Sequence, residues 1–150
     1  KLHLIARIGT ERVAFPADQI EAVVRVPRIV PIPAAPAVIA GLVAVRSRVL
    51  TLIDGAALVG MTTQRSPASP TDERLMAIIS HEGHGYALLL DGVEDVTAVL
   101  LLPANGLRLS PAWAALADQL VALDSAPVMR LSIPAIIQCA SQAAAQSAAA

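Results

Sequence analysis

Leu2, Leu4, Ala6 and Ile8 alternate with His3 and Arg7 at the start of the chain, the two-residue period of a β-strand with one buried face. Gly9 to Arg12 supply a turn, Val13 to Phe15 continue a hairpin, and Pro16 to Gln19 turn again. Ile20, Ala22, Val24 and Val26 then alternate with Glu21, Val23 and Arg25. Three strands within about thirty residues is the spacing of small barrels and sandwiches. The stretch GLVAVRSRVLTLID, Gly41 to Asp54, holds two short apolar runs, Leu42 to Val45 and Val49 to Ile53, around the polar triplet Arg46, Ser47, Arg48. That pattern predicts a hairpin with a cationic tip.

Helical signals are short. Asp54 can cap one turn over Gly55 to Val59, stopped by Gly60, and Ser110 before Pro111 opens a short helix through Ala117. After Pro134 the residues AIIQCASQAAAQSAAA lose β-branching and favour helix, fraying into an Ala-rich tail over 140–150 that adds little core.

The chain also repeats itself. Set without gaps, RVAFPADQIEAVVRV from Arg12 lies over GYALLLDGVEDVTAV from Gly85, matching Ala14 to Ala87, Asp18 to Asp91, Glu21 to Glu94, Val23 to Val96 and Val26 to Val99. Upstream, Leu2 falls over Leu75 and Ile5 over Ile78. With one indel, VLTLID from Val49 can be laid over MRLSIP from Met129. The segment TTQRSPASPTDER, Thr62 to Arg74, is polar and proline-bearing and reads as the connection between two lobes, 1–61 and 75–139. Lobes of this size have no room for crossover helices, which leaves antiparallel barrels, whose closure also removes exposed edges. The expected fold class is all-β: two five-stranded barrel lobes with short connecting helices and a C-terminal helix.

Composition narrows function more than fold. The chain is 55% hydrophobic with only 2% aromatics, so Val, Ile, Leu and Ala must fill the interior. A formal net charge of -1 argues against nucleic acid, whose footprint is a basic surface. Lys1 is the sole lysine, so the cations are arginines, suited to directional pairing with carboxylates. The single cysteine, Cys139, closes no intrachain disulfide, consistent with a cytoplasmic setting. The long uncharged run Ile29 to Val45 is broken by Pro31, Pro33 and Pro36, so no direct membrane insertion is expected from it. The chain opens on Lys1 rather than Met, which fits a fragment of a larger protein.

Residues able to carry chemistry are sparse. There is no Gly-rich phosphate loop and no G-x-S-x-G serine, so neither catalysis nor a cofactor is expected. His81 and His84 in SHEGHGY suggest a metal or small-ligand site, but the flanking glycines make a solvated hairpin tip the simpler reading. Asp91, Glu94 and Asp95 share a strand with the polarity of their repeat-mates, Trp113 covers a core edge, and Cys139 sits among small apolar residues as an inert thiol. Arg25, Arg28, Arg46 and Arg48 read either as charged edge protection or as a protein-docking surface beside exposed aliphatics such as Val23.

The strand hairpin, the approach VPRIVPIPAAPAVIAG and then GLVAVRSRVLTLID together resemble the CheW-like domain of bacterial chemotaxis coupling proteins. The family pattern is approximately P-x-x-P-x-x-P followed by G-x-x-N-x-R-G-x-V-x-P-x-x-D; Gly41, Val45, Arg46, Val49 and Asp54 fall on it, and Leu90 to Val96 resemble its second conserved region. The resemblance covers about residues 2 to 138. It departs at Ser47, where glycine is usual, at Ala44, where Asn is common, and at Ala22, where many members carry a Glu that pairs with the arginine matched by Arg46; here the acid is Glu21, one step away.

The resemblance implies two linked SH3-like β-barrels acting as a non-catalytic scaffold in chemotaxis signal transduction. Its partners would be the regulatory domain of a CheA-type histidine kinase and the cytoplasmic tip of methyl-accepting chemoreceptors. It would sit in the cytoplasm, recruited to receptor arrays, as a free adaptor or as a domain of a larger kinase or pilus-type signalling protein. The expected partner-binding residues are Ile20, Val23, Val43, Val45, Arg46 and Arg48, with the four aliphatics lining a groove and Arg46 at its rim.

Overall fold

The structure is a computed structural model that describes residues 2–61, 74–103 and 109–149, with side chains in the last helix described as far as residue 145. Strands β1 (Leu2–Ile8) and β2 (Glu11–Pro16) form the first hairpin, and a single 3-10 turn at Ala17–Gln19 leads to β3 (Ala22–Arg25). The expected cationic hairpin is β4 (Ile39–Val45) and β5 (Arg48–Asp54), followed by the one-turn helix α1 (Gly55–Leu58). Then come β6 (Leu75–His81), β7 (His84–Leu90), β8 (Gly92–Ala98) and β9 (Leu100–Leu102). Helix α2 (Pro111–Leu116), the hairpin β10 (Ala117–Leu123) and β11 (Ala126–Leu131), and α3 (Ile133–Ala149) complete the chain.

Two sheets result, one ordered β8-β1-β2-β11-β10-β9 and the other β3-β6-β7-β5-β4. The first has six segments by count, yet β8 and β9 stand at its opposite edges with only Val99 between them in sequence. The two edges therefore meet, and β8 and β9 act as one bent strand closing a five-stranded barrel, here barrel A. Barrel B closes the same way: beyond β3 the chain reaches Val30, which exchanges hydrogen bonds of 2.8 Å each way with Leu42 of β4. Each barrel contains one parallel pair, β11 with β2 and β5 with β7.

The barrels do not divide the chain at the 62–74 connection. Barrel A takes β1 and β2 from the first repeat and β8 to β11 from the second, while barrel B takes β3 to β5 from the first and β6 and β7 from the second. The boundaries drawn at 1–61 and 75–139 thus separate repeats, not barrels. The chain passes from barrel A to barrel B between β2 and β3, and returns between β7 and β8.

Repeat-mates nonetheless occupy matching places. Ile5, Ala14, Val121 and Val128 fill barrel A, and their counterparts Ile78, Ala87, Val43 and Leu50 fill barrel B. The opposite faces of the central strands, among them Leu4, Phe15, Ile53, Ile79 and Leu88, join Trp113 and the α3 residues Ile136, Ile137 and Ala140 in a third layer between the barrels. Strands covered on both sides explain why β1 is buried from His3 to Ala6, where alternation alone predicts His3 on a polar face. Ala140 is 3% exposed, so the core extends into the segment expected to be a bare tail.

Parallel pairing fixes the register of the second match: Thr51 faces Tyr86 as Met129 faces Val13. Thr51 is therefore the counterpart of Met129, two residues from the Val49 alignment, and Asp54 the counterpart of Ser132. Both are helix caps. Asp54 Oδ1 accepts from Ala56 N at 3.1 Å and Ala57 N at 3.4 Å, and Ser132 Oγ accepts from Ala135 N at 3.3 Å. Ser110 Oγ accepts from Trp113 N at 3.5 Å, capping α2 as its position before Pro111 predicts.

Candidate functional site

Val45 pairs with Arg48 at the end of β4 and β5, so the turn is the dipeptide Arg46-Ser47, with Arg48 already in the strand. Both turn residues have positive φ, 50° at Arg46 and 67° at Ser47, the type I′ geometry that matches strand twist but favours Asn and Gly. Serine therefore takes the left-handed conformation itself, at a cost of about 1 kcal/mol relative to glycine. Arg46, Ser47 and Arg48 are all exposed.

Beside this tip lies a shallow pocket lined by Val24, Val45, Leu50 and Ile78, with Glu21, Arg46 and Arg48 also bordering it. Arg48 Nη1 donates to Glu21 Oε2 at 3.1 Å, and the Ser80 hydroxyl donates to Glu21 Oε1. The Ser80 hydrogen bond and then the Arg48 guanidinium hold the Glu21 carboxyl below the usual glutamate value. Gly85 leaves room for this arrangement: a Cβ there would stand 2.7 Å from Arg48 Nη2 and 2.5 Å from Leu50 Cδ2, so those side-chain ends would have to move.

The acid expected at position 22 thus acts from position 21, and its partner is Arg48 rather than Arg46. Barrel A holds the matching carboxylate by other means, since Arg12, the repeat-mate of Gly85, donates through Nε to Glu94 Oε2 at 2.8 Å. The aligned aspartate also has a structural task there: Asp91 Oδ2 accepts from Gly9 N at 2.6 Å while Asp91 N donates to Arg7 O at 2.8 Å. Asp95 Oδ1 accepts from Val96 N at 2.8 Å.

Of the expected docking residues, the structure gathers Val45, Arg46 and Arg48 around the pocket. Val43 is not at the surface: it is 1% exposed and packs inside barrel B, because it shares the inward face of β4 and pairs with Leu50. Ile20 and Val23 pack instead against the layer between the barrels, so the four aliphatics do not line one groove. Sequence reasoning did not assign Ser80 or Gly85 to the site; they sit on β6 and β7, far along the chain from Glu21 and Arg48, and only sheet pairing unites them.

His81 and His84 face each other across a two-residue turn, and His81 Nε2 lies 3.9 Å from Glu82 Oε1. Among the described residues no group of three or more His, Cys, Asp or Glu could hold a metal ion. Trp113 is 9% exposed within the layer between the barrels, and Cys139 packs at its margin. Among the described residues no helix is long and apolar enough to cross a membrane.

Two closed β-barrels built from an intertwined repeat, with a polar-rimmed apolar pocket at a hairpin tip, define the class: an SH3-like double-barrel module. A family model, the CheW-like domain, matches residues 3–140, and the chain belongs to that family. Among solved structures it is similar to the scaffolding protein TtCheW from Thermoanaerobacter tengcongensis, with a TM-score of 0.72, 17% identity and 89% of each chain covered, a likeness of fold. No curated protein matches the sequence.

Proposed function

We propose that this chain is a non-catalytic signalling adaptor that couples chemoreceptors to a CheA-type histidine kinase. It works in the cytoplasm and joins receptor arrays through its partners. The observation that carries this reading, beside family membership, is the pocket at the β4–β5 tip, where an exposed guanidinium borders apolar lining. A partner helix with an apolar stripe and a carboxylate one turn away would fit such a pocket. Arg46 pairs with the carboxylate, and Val24 and Val45 contact the stripe. The kinase regulatory domain, built on the same fold, engages a separate face.

Calorimetric titration with a receptor cytoplasmic fragment and with the CheA regulatory domain tests the proposal. Binding to both is expected, with Arg46→Ala weakening the receptor contact about tenfold, the value of a charge-assisted hydrogen bond. No binding to either partner would remove the adaptor reading.

A further inference from the structure

The two arginines of the β4–β5 tip are both exposed but differ in pairing. Arg48 is held by Glu21 at 3.1 Å, and Glu21 is itself fixed by Ser80. Ser80 and Gly85 are register partners on β6 and β7, so backbone pairing alone sets the serine hydroxyl beside the space that Arg48 crosses. Arg46, by contrast, stands exposed at φ 50° and makes no hydrogen bond or ion pair with the other described residues.

Barrel A supplies an internal comparison. Its turn residue at the place of Arg46 is Asp124, and there one cation serves both positions: Arg12 Nε meets Glu94 at 2.8 Å while Arg12 Nη2 lies 3.9 Å from Asp124 Oδ2. In barrel B the matching carboxylate, Glu21, is held by Arg48 and Ser80, and the turn residue is left unengaged.

We propose that Glu21, Ser80 and Gly85 are positioning residues that hold Arg48 against the barrel wall, so that Arg46 alone offers a guanidinium and the pocket reads one carboxylate beside a small aliphatic side chain on a partner helix. The depressed titration of Glu21 is consistent with this, because it keeps the carboxylate charged wherever the pocket is used. The proposal rests on the docking reading given above. It adds that discrimination comes from removing one of two adjacent cations, since a loose pair would attract any acidic cluster without distinguishing single from double acids.

The test is a double-mutant cycle, with the receptor cytoplasmic fragment as probe and calorimetry as readout. Arg46→Ala should weaken binding about tenfold in the unaltered chain, but threefold or less on a Glu21→Gln background, because the released Arg48 takes its place. Gly85→Ala should act as Glu21→Gln does; if it does not fold, the Gln variant carries the cycle. Equal losses in the two backgrounds overturn the proposal. Where the unaltered chain binds no fragment, it is the docking reading that fails. The positioning is then judged on the free protein by following the Glu21 carboxyl with NMR, which should titrate below the usual value and move up in Arg48→Ala; an unmoved titration overturns it.

Discussion

Arg46 and Asp124 occupy the same place in the two barrels: each opens a two-residue hairpin turn, with φ of 50° and 51°, and each is followed by a serine, at 67° and 64°. The backbone is thus repeated while the charge is inverted. Turn geometry answers to sheet twist, and the side chain at the tip is left free to vary.

Ser47→Gly should stabilise the protein by up to about 0.5 kcal/mol, since glycine relieves the left-handed strain and gives back part of that gain through its freer unfolded chain. A rise of roughly 2–4 °C per kcal/mol in the thermal midpoint is expected at this size. A melting curve checks it, and a lowered midpoint would count against strain at this turn.

Val43→Asp should unfold or severely weaken the protein, by about 3–5 kcal/mol, because it places an unpaired carboxylate inside barrel B. Val49→Asp, one turn of the pleat from the same tip but 68% exposed, should stay within about 0.5 kcal/mol. Urea titrations of the two variants distinguish a core position from a surface one, and equal behaviour would mean that β4 is turned the other way.

The Glu21 cluster gives acid stability a defined sign. Its carboxyl is depressed by Ser80 and Arg48, so its contribution is present above the unfolded glutamate value and is lost as pH falls through the folded one. Glu21→Gln should therefore cost stability near neutral pH and converge with the unaltered chain under acid. Because the pair is exposed, the difference is small. Paired melts across that range measure it; parallel curves would mean that the carboxyl is unshifted.

Neither half of the chain should fold alone. Residues 1–61 carry β3, β4 and β5 without β6 and β7, which lie between them in the sheet, and the complementary half lacks β1 and β2. Circular dichroism of each half should show an unfolded chain, and mixing the halves should restore strand signal. Independent folding of 1–61 would contradict the exchanged pairing.

Much of this architecture is legible in the sequence, for reasons that particular residues show. Alternation marks β1 and β3, Asp54 and Ser110 announce their helices, and the aligned Asp18/Asp91 and Glu21/Glu94 disclose the repeat. Exchange of strands leaves no such trace, because β3 reads identically whether it joins β2 or β6. The alignment of Val49 over Met129 misses by two residues, a shift that keeps every side chain on its own face and so escapes any test of periodicity. Val43 misleads for a related reason: β4 is apolar on both faces although only one is covered, Ala44 being exposed, so its sequence gives no sign of which residues point inward. The candidate site is half visible in the sequence, in Arg46 and Arg48; Ser80 and Gly85 join it only through sheet pairing.

Because the backbone crosses from one barrel to the other and back, two separate connections, β2 to β3 and β7 to β8, tie the barrels together. The module is therefore riveted where a simple tandem would be hinged. Any two partners that bound different barrels would therefore be held at a set spacing and orientation.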